Sequence, residues 1–249
     1  RLHSAVIVEH RPLPLLCKVI RHFMSRTPNT TYFWVFHGPD NADMLHKEFR
    51  RDLKTGRFWM FNLQSNVSKY DYQWLFLNIN FWEKIAGNNL LCFQADTALC
   101  KNSQHTIQEF LMWDFVGAPC TKFRFGGNTA MEKIMRKKLP TKRWKDVHYN
   151  GGLSMRKRSK MVEALRFHMR FGTPLPWHVY EDVFFSSRMW SGRKLQIPWP
   201  NIARRFCFEY NFYPTPLGIH KPWERNWFFG EEEAKIRKNC PEIRTIFGK

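Results

Sequence analysis

The apolar positions of the chain fall into short runs of two kinds, which alternate through the first hundred residues. The run SAVIV (4–8) is compact and rich in β-branched residues, a buried-strand pattern, and it ends in the polar Glu9, His10 and Arg11. Pro12 then leads into PLLCKVIRHFM (14–24), where Leu15, Leu16, Val19, Ile20 and Phe23 recur at helical spacing. TYFWVFHG (31–38) and RFWMFNL (57–63) read as a second and a third strand, and YDYQWLFLNINFWEKIA (70–86) as a helix or a pair of helices. NLLCFQADTALC (89–100) reads as a further buried strand that delivers a carboxylate, Asp96, beside the polar Gln94 and Thr97. Strands alternating with helices predict an α/β fold: a single domain with a mostly parallel, Rossmann-like central sheet flanked by helices.

Past residue 100 the order is less regular. A helical stretch is expected over 103–113, a short strand over DFVGAP (114–119), and a Gly-rich, basic segment over 125–148. YNGGLSMRKRSKMVEAL (149–165) reads as a glycine turn entering a helix, and YEDVFFSSRMW (180–190) as another helix whose first turn holds both acids. No internal repeat or low-complexity linker divides the chain, so 1–249 is taken as one domain.

Composition narrows the partners. The 249 residues are 43% hydrophobic and 16% aromatic, enough to bury a sizeable core and to exclude a disordered chain. Forty Lys and Arg against 21 Asp and Glu give a formal charge of +19, which favours a polyanionic or phosphate-bearing partner without choosing among nucleic acid, an anionic membrane and a small molecule. The densest basic run, MRKKLPTKRWKDVH (135–148), fits a nucleic-acid patch or a solvated loop. Six cysteines without a C-x-x-C pair argue against structural zinc, leave Cys92 and Cys100 readable as buried thiols, and permit disulfides. Two sequons, Asn29-Thr30-Thr31 and Asn66-Val67-Ser68, permit glycosylation in a secretory lumen. No apolar run approaches the ~20 residues needed to span a bilayer. The chain opens on Arg1 rather than Met, so a targeting or anchoring segment upstream stays open, and with it a Golgi-like lumen or the cytoplasm.

Several polar groups stand where one site would gather them. Ligands of open parallel sheets bind beyond the carboxyl ends of the strands, where Asp96 is expected as a metal ligand or catalytic acid; an Asp there also caps a turn. Asn150-Gly151-Gly152 would let backbone approach a ligand closely. Glu181 and Asp182 at a helix start are stabilised as carboxylates, and one could take a proton from an attacking hydroxyl. In GIHKPW (218–223), His220 offers an imidazole to a metal and Lys221 an ammonium to a phosphate, with Pro222 and Trp223 stiffening the loop. Glu9, His10 and Arg11 lie where a nucleotide base or ribose would rest.

In this order the features resemble the GT-A glycosyltransferase fold, with its opening nucleotide-binding strand, Asp-x-Asp motif, glycine loop, x-Glu-Asp motif and late metal-binding His. Those places are filled here by 4–11, Gln94-Ala95-Asp96, Asn150-Gly151-Gly152, Tyr180-Glu181-Asp182 and His220. More closely, FWEKI, LLCFQADTALC, DFVGAPC, YNGGLSMRKRSKM, EDVFF and GIHKPW together resemble a little-characterised glycosyltransferase-like family catalogued as a domain of unknown function. The resemblance covers 4–223. It implies a nucleotide-sugar half over 4–120, an acceptor and catalytic half over 121–223, and a tail over 224–249 that carries no readable signal.

The resemblance further implies transfer of a sugar from a nucleoside diphosphate donor, UDP-sugar before GDP-sugar, to a glycan, protein or lipid hydroxyl. Mn²⁺ or Mg²⁺ would be held by Asp96 and His220. Glu9, His10, Arg11, Gln94, Asp96 and Lys221 would bind the donor. Asn150, Gly151, Gly152 and Trp223 would form the donor and acceptor loop, and Asp182, with Glu181 beside it, would be the base of an inverting reaction. HKPW also resembles the loop of retaining galactosyltransferases. Gln94 departs from the pattern, because an amide is a weaker ligand for a hard cation than the carboxylate it replaces. That departure keeps open ribose binding by Gln94, a metal-free reaction, and a degenerate protein that binds sugar nucleotides without turnover. Specific nucleic-acid binding is not expected, although a module using 135–148 and aromatic stacking is the rival from another class.

Overall fold

The computed structural model describes residues 1–65, 67–120, 148–172, 179–186, 195–224 and 230–249. The basic run 135–147 and the sequon residue Asn66 lie outside the described residues.

The first half builds as its pattern predicts. Strand β1 (Ser4–Glu9) is buried throughout, and β2 (Tyr32–His37) and β3 (Phe58–Asn62) pair parallel beside it, Ala5 opposite Phe33 and Phe33 opposite Phe58. The helix Leu16–Arg26 buries Leu16, Val19, Ile20, Phe23 and Met24, one face at helical spacing. Phe23 stacks at 4.0 Å on Phe93, the last residue of strand β4 (Asn89–Phe93), which lies parallel to β1 on its other side. The apolar stretch after β3 forms two helices, Lys69–Phe76 and Ile79–Lys84. Ser68 and Asp71 make a reciprocal capping box at the first, and the Asn78 side chain caps the second, so the asparagine there starts a helix.

NLLCFQADTALC is two strands, not one. After β4 the chain turns at 94–96, with the Thr97 amide and hydroxyl both donating to the Gln94 carbonyl at 3.2 and 2.7 Å, and then enters β5 (Thr97–Leu99). The helix expected over 103–113 is a single 3₁₀ turn, Ile107–Phe110, because Thr106 and Glu109 close a capping box and no amphipathic run follows. The glycine segment expected to turn into a helix instead lies within strand β7 (His148–Lys157), and the helix Arg158–Phe171 starts only after it.

Strand β6 (Phe115–Cys120) completes a six-stranded sheet in the order β3-β2-β1-β4-β7-β6, where β7 runs antiparallel to both neighbours. The chain thus has the α/β, mostly parallel architecture that its sequence predicts. A second sheet, β5-β9-β8, joins β5 to β8 (Cys207–Phe208) and β9 (Gly218–His220). The tail is part of this second unit. The helices Gly230–Asn239 and Glu242–Thr245 bury Ile236 and Ile243 with Ala98, Phe208 and Ile219 in a cluster of their own, and Cys100 forms a disulfide with Cys240. Cys100 is therefore not a plain thiol, whereas Cys92 is a free, buried one. No helix among the described residues is long and apolar enough to cross a membrane.

Candidate active site

The two sheets meet at the carboxyl end of β4. There the strand order reverses, since β1 leads to β2 on one side while β4 lies on the other, and ligands bind at such switch points. This position accounts for a core strand that ends in an acid. The apolar β4 is anchored in the large sheet, and the turn at 94–96 hands the chain to the small one, leaving Asp96 half-buried between them.

Pairing of β5 with β9 sets Thr97 opposite His220, so Asp96 and His220 become neighbours across 124 positions of sequence. The His220 ring is buried, with Nε2 at 3.4 Å from Asp96 Oδ1 and Nδ1 at 3.2 Å from Oε2 of Glu209, itself fully buried. Lys221 Nζ lies 3.6 Å from Asp96 Oδ2, and the Lys221 amide donates to the Asp96 carbonyl at 3.1 Å. Lys221 holds φ at +33°, outside the comfortable range of an L-residue and the kind of strain that collects at functional sites. Burial works against charge on Asp96, yet His220 and Lys221 outweigh it and hold the carboxyl down at about 2. Burial likewise opposes charge on His220, while Glu209 and Asp96 outweigh it and raise the imidazole to about 9.

The glycine pair closes the site from the other side. Phe93 pairs with Leu153, and the register of β7 against β6 shifts between Gly117 and Ala118, so Gly151 and Gly152 bulge alongside the 94–96 turn. A Cβ on Gly152 would come within 2.6 Å of His220 Nε2, and one on Gly151 within 2.5 Å of Glu181 Oε1, so neither position admits a side chain. The Gly151 amide donates to Asp182 Oδ2 at 3.2 Å and the Val183 amide to Oδ1 at 2.7 Å. Asp182 is thereby held by backbone, and burial raises its pKa against these two hydrogen bonds. The Gly152 amide donates to the Asn150 side-chain Oδ1 at 2.7 Å, which shapes the bulge. Asp182 and His220 thus stand at adjacent glycines, and Asp96 lies against His220.

The other expected site residues have partners of their own. Glu181 is not a second acid open beside Asp182; it forms a buried pair with Arg156, 2.5 Å from Nη1 and 3.0 Å from Nη2. Arg156 lies 5.0–5.8 Å from the rings of Phe76, Trp82, Phe115 and Phe185, and its Nε donates to Ser154 Oγ at 2.9 Å. Glu9 at the end of β1 is clasped by the Arg11 guanidinium at 2.7 and 2.8 Å. That contact, with a smaller contribution from Asp96, raises the Arg11 pKa and places Arg11 within the field of the site. His10, half-buried, backs onto Gly38. The Gln94 amide nitrogen donates to the Tyr72 hydroxyl at 3.0 Å. Trp223 packs at 4.6 Å on Phe247 of the tail, which makes it part of the small sheet's support.

Arg156 and Glu209 escape sequence reasoning. Arg156 lies inside the YNGGLSMRKRSKM block without being singled out by it, and Glu209 sits in a stretch with no motif.

A family model described as "Protein of unknown function (DUF5672)" matches residues 57–220, about two thirds of the chain. The chain belongs to this family. No curated protein sequence matches the chain. Among solved structures, the bifunctional glycosyltransferase WbbM resembles this DUF5672 chain with a TM-score of 0.56 at 9% identity, over 99% of the chain and 51% of WbbM. Galactosyltransferase LgtC, solved with donor and acceptor sugar analogues, gives 0.54 at 10% identity over 93% of each chain. Mouse xyloside xylosyltransferase 1 gives 0.51 at 9% identity over 96% and 94%. At these identities the likeness establishes the fold, which is the GT-A glycosyltransferase fold. The DUF5672 chain spans about half of WbbM, whose other half has no counterpart here.

Among the described residues no group of three or more His, Cys, Asp or Glu is arranged to hold a metal ion. The donor set nonetheless suits a divalent cation in part. Asp96 Oδ1 and His220 Nε2, like His220 Nδ1 and Glu209 Oε2 on the other side of the ring, are buried polar atoms without a well-aligned hydrogen bond; the first two are 3.4 Å apart, a separation two adjacent ligands of one ion can adopt. Two protein ligands leave the rest of the shell to a substrate, and the Gln94 amide, engaged with Tyr72, does not supply a third.

Proposed function

We propose that this protein is a glycosyltransferase that moves a sugar from a nucleoside diphosphate sugar, UDP before GDP, to an acceptor hydroxyl. The observation that carries the reading is the convergence of Asp96, His220 and Lys221 with Asp182 across the Gly151-Gly152 bulge, at the switch point of a GT-A fold. The fold's occurrence in a galactosyltransferase that takes donor and acceptor sugar analogues supports the same reading.

In this proposal the donor diphosphate lies over Asp96 and His220, and the Lys221 ammonium, together with Arg11 at the end of β1, takes up the negative charge that builds as it leaves. The base and ribose rest near Glu9, His10 and Arg11. Asp96 and His220 would hold a Mn²⁺ or Mg²⁺ ion with the donor's phosphate oxygens, and such an ion supplies further charge neutralisation on the leaving group. Asp182 accepts the proton of the acceptor hydroxyl while that oxygen bonds to the anomeric carbon and the bond from that carbon to the diphosphate oxygen breaks. Its raised pKa makes Asp182 a better base than an exposed carboxylate, and its two backbone hydrogen bonds fix its aim. Direct displacement of this kind inverts the anomeric centre. Glu181 contributes only by holding Arg156 and the helix start.

A thermal-shift screen of nucleotide sugars, with and without Mn²⁺, tests the reading. The expected result is a rise in Tm with one UDP- or GDP-sugar, larger with Mn²⁺, that Asp96→Ala abolishes. A rise that Asp96→Ala leaves intact would remove Asp96 from the donor site. Retention of configuration in the product, read by NMR, would remove Asp182 as base.

A further inference from the structure

The small sheet carries a buried acid, Glu209, that the proposed reaction leaves unused. Its three strands each deliver one polar residue to the same edge: Asp96 precedes β5, His220 ends β9, and Glu209 follows β8. Parallel pairing of Cys207 with Gly218 and Phe208 with Ile219 brings the next residue, Glu209, level with His220. The result is a row, carboxylate, imidazole, carboxylate, in which Asp96 Oδ1 faces Nε2 at 3.4 Å and Glu209 Oε2 faces Nδ1 at 3.2 Å.

The two carboxylates differ in setting. The Asp96 side chain is 36% exposed and borders the donor site, whereas Glu209 is 0% exposed behind the ring. A fully buried glutamate needs partners that offset its desolvation, and the imidazole 3.2 Å away is one of them. A histidine that ligates a metal through one nitrogen commonly donates its other N–H to a carboxylate, which fixes the tautomer and the plane of the ring. The Gly152 backbone closes the remaining side, since a Cβ there would meet the ring at 2.5 Å.

We infer that Glu209 is a positioning residue for His220. Resting on the donor-site reading above, it holds the proton on Nδ1 and turns Nε2 towards Asp96 and the cation that would bridge them. Glu209 touches neither donor nor acceptor.

The experiment is a titration of UDP into the whole protein by calorimetry, at saturating Mn²⁺ and again without a cation, so that the ratio of the two affinities gives the metal-dependent gain. The wild type is expected to show a gain that Glu209→Gln reduces about 10–100-fold, with metal-free UDP affinity unchanged. A glutamate that only supports the fold would lower Tm and leave the gain of the folded protein as it was, which overturns the inference. A wild type with no gain from Mn²⁺ overturns the cation reading and the role of Glu209 together, and is distinguished from the previous outcome by the wild-type data alone. Should Glu209→Gln not fold, the imidazole ¹⁵N spectrum of the wild type with UDP and Mg²⁺ decides. A proton on Nδ1 of His220 supports the inference and a proton on Nε2 overturns it.

Discussion

The large sheet and the small sheet are built on different principles. In the large one, β1, β2 and β4 are near-continuous apolar strands, and aromatic side chains such as Phe23, Phe33 and Phe93 interlock across it. Burial does most to hold such a layer, and the buried charges in and beside it are paired, Glu181 with Arg156, Asp114 with Lys157 and Glu9 with Arg11. The small sheet has strands of three, three and two residues, too short to persist unaided. It is held by a cluster of seven buried residues, by the tail helices and by the Cys100–Cys240 disulfide. It also carries Asp96, His220, Lys221 and Glu209 at its edge. The stable layer supplies the platform, and a weaker one, stapled in place, supplies most of the polar groups of the site.

The largest effect expected from perturbing this division is on rate. Asp182→Asn, on the helix Glu181–Ser186 that packs against β7 of the large sheet, is expected to lower turnover about 10²–10⁴-fold while the Tm rise with donor persists. Initial rates beside thermal shifts measure both, and a loss of the donor-induced rise would move Asp182 from chemistry to donor binding.

Next in size is the disulfide. Closing a loop of 140 residues, it is worth up to about 5 kcal/mol in the chain-entropy account, so Cys240→Ser is expected to cost about 2–5 kcal/mol. Hydrogen exchange in that variant should rise first at 97–99, 207–208 and 218–220, with 4–9 and 32–37 still protected. Equal loss in both sheets would erase the distinction drawn between them.

The ion pair inside the large sheet should behave asymmetrically. Arg156→Met leaves Glu181 buried without its counter-charge and is expected to cost about 3–5 kcal/mol, whereas Arg156→Met combined with Glu181→Leu should recover most of that loss. Urea denaturation of the two variants measures the difference, and equal midpoints would show that the pair contributes more than charge balance.

The smallest effect is the pH dependence of stability, where histidines pull in opposite directions. His22, on the helix packed against β5, is pushed by burial from 6.5 down to about 4, and His148 is shifted the same way. The unfolded chain binds these protons first, so stability is complete above pH 6.5 and falls as pH drops towards 4, by about 3 kcal/mol for His22. His220 is raised to about 9, so its contribution is complete below pH 6.5 and is lost as pH rises through 9. Tm should therefore peak near neutrality, and His220→Asn should flatten the alkaline side. A curve that falls equally there in the variant would show that His220 is not the group responsible.

Several features were legible because they are local. SAVIV, TYFWVFHG and RFWMFNL announce strands through composition and length, and the spacing of Leu16, Val19, Ile20 and Phe23 announces a helix with one buried face. The glycines at 151 and 152 signalled close approach correctly but misled as to element, since the same absence of a Cβ serves a turn and a bulged strand alike. The acids at 181 and 182 looked equivalent because adjacent helix positions share a sequence signal while pointing 100° apart; one meets Arg156 and the other faces the glycine bulge.

By itself, then, the sequence determined the alternation of strands and helices, the parallel sheet they make, and the presence of an acid just past a buried strand. Tertiary structure alone decided which residues stand beside that acid. Residue 97 pairs with 220, far along the chain, and 207 with 218, through backbone hydrogen bonds. Such pairings depend on how whole layers pack, and no periodicity within either segment encodes them.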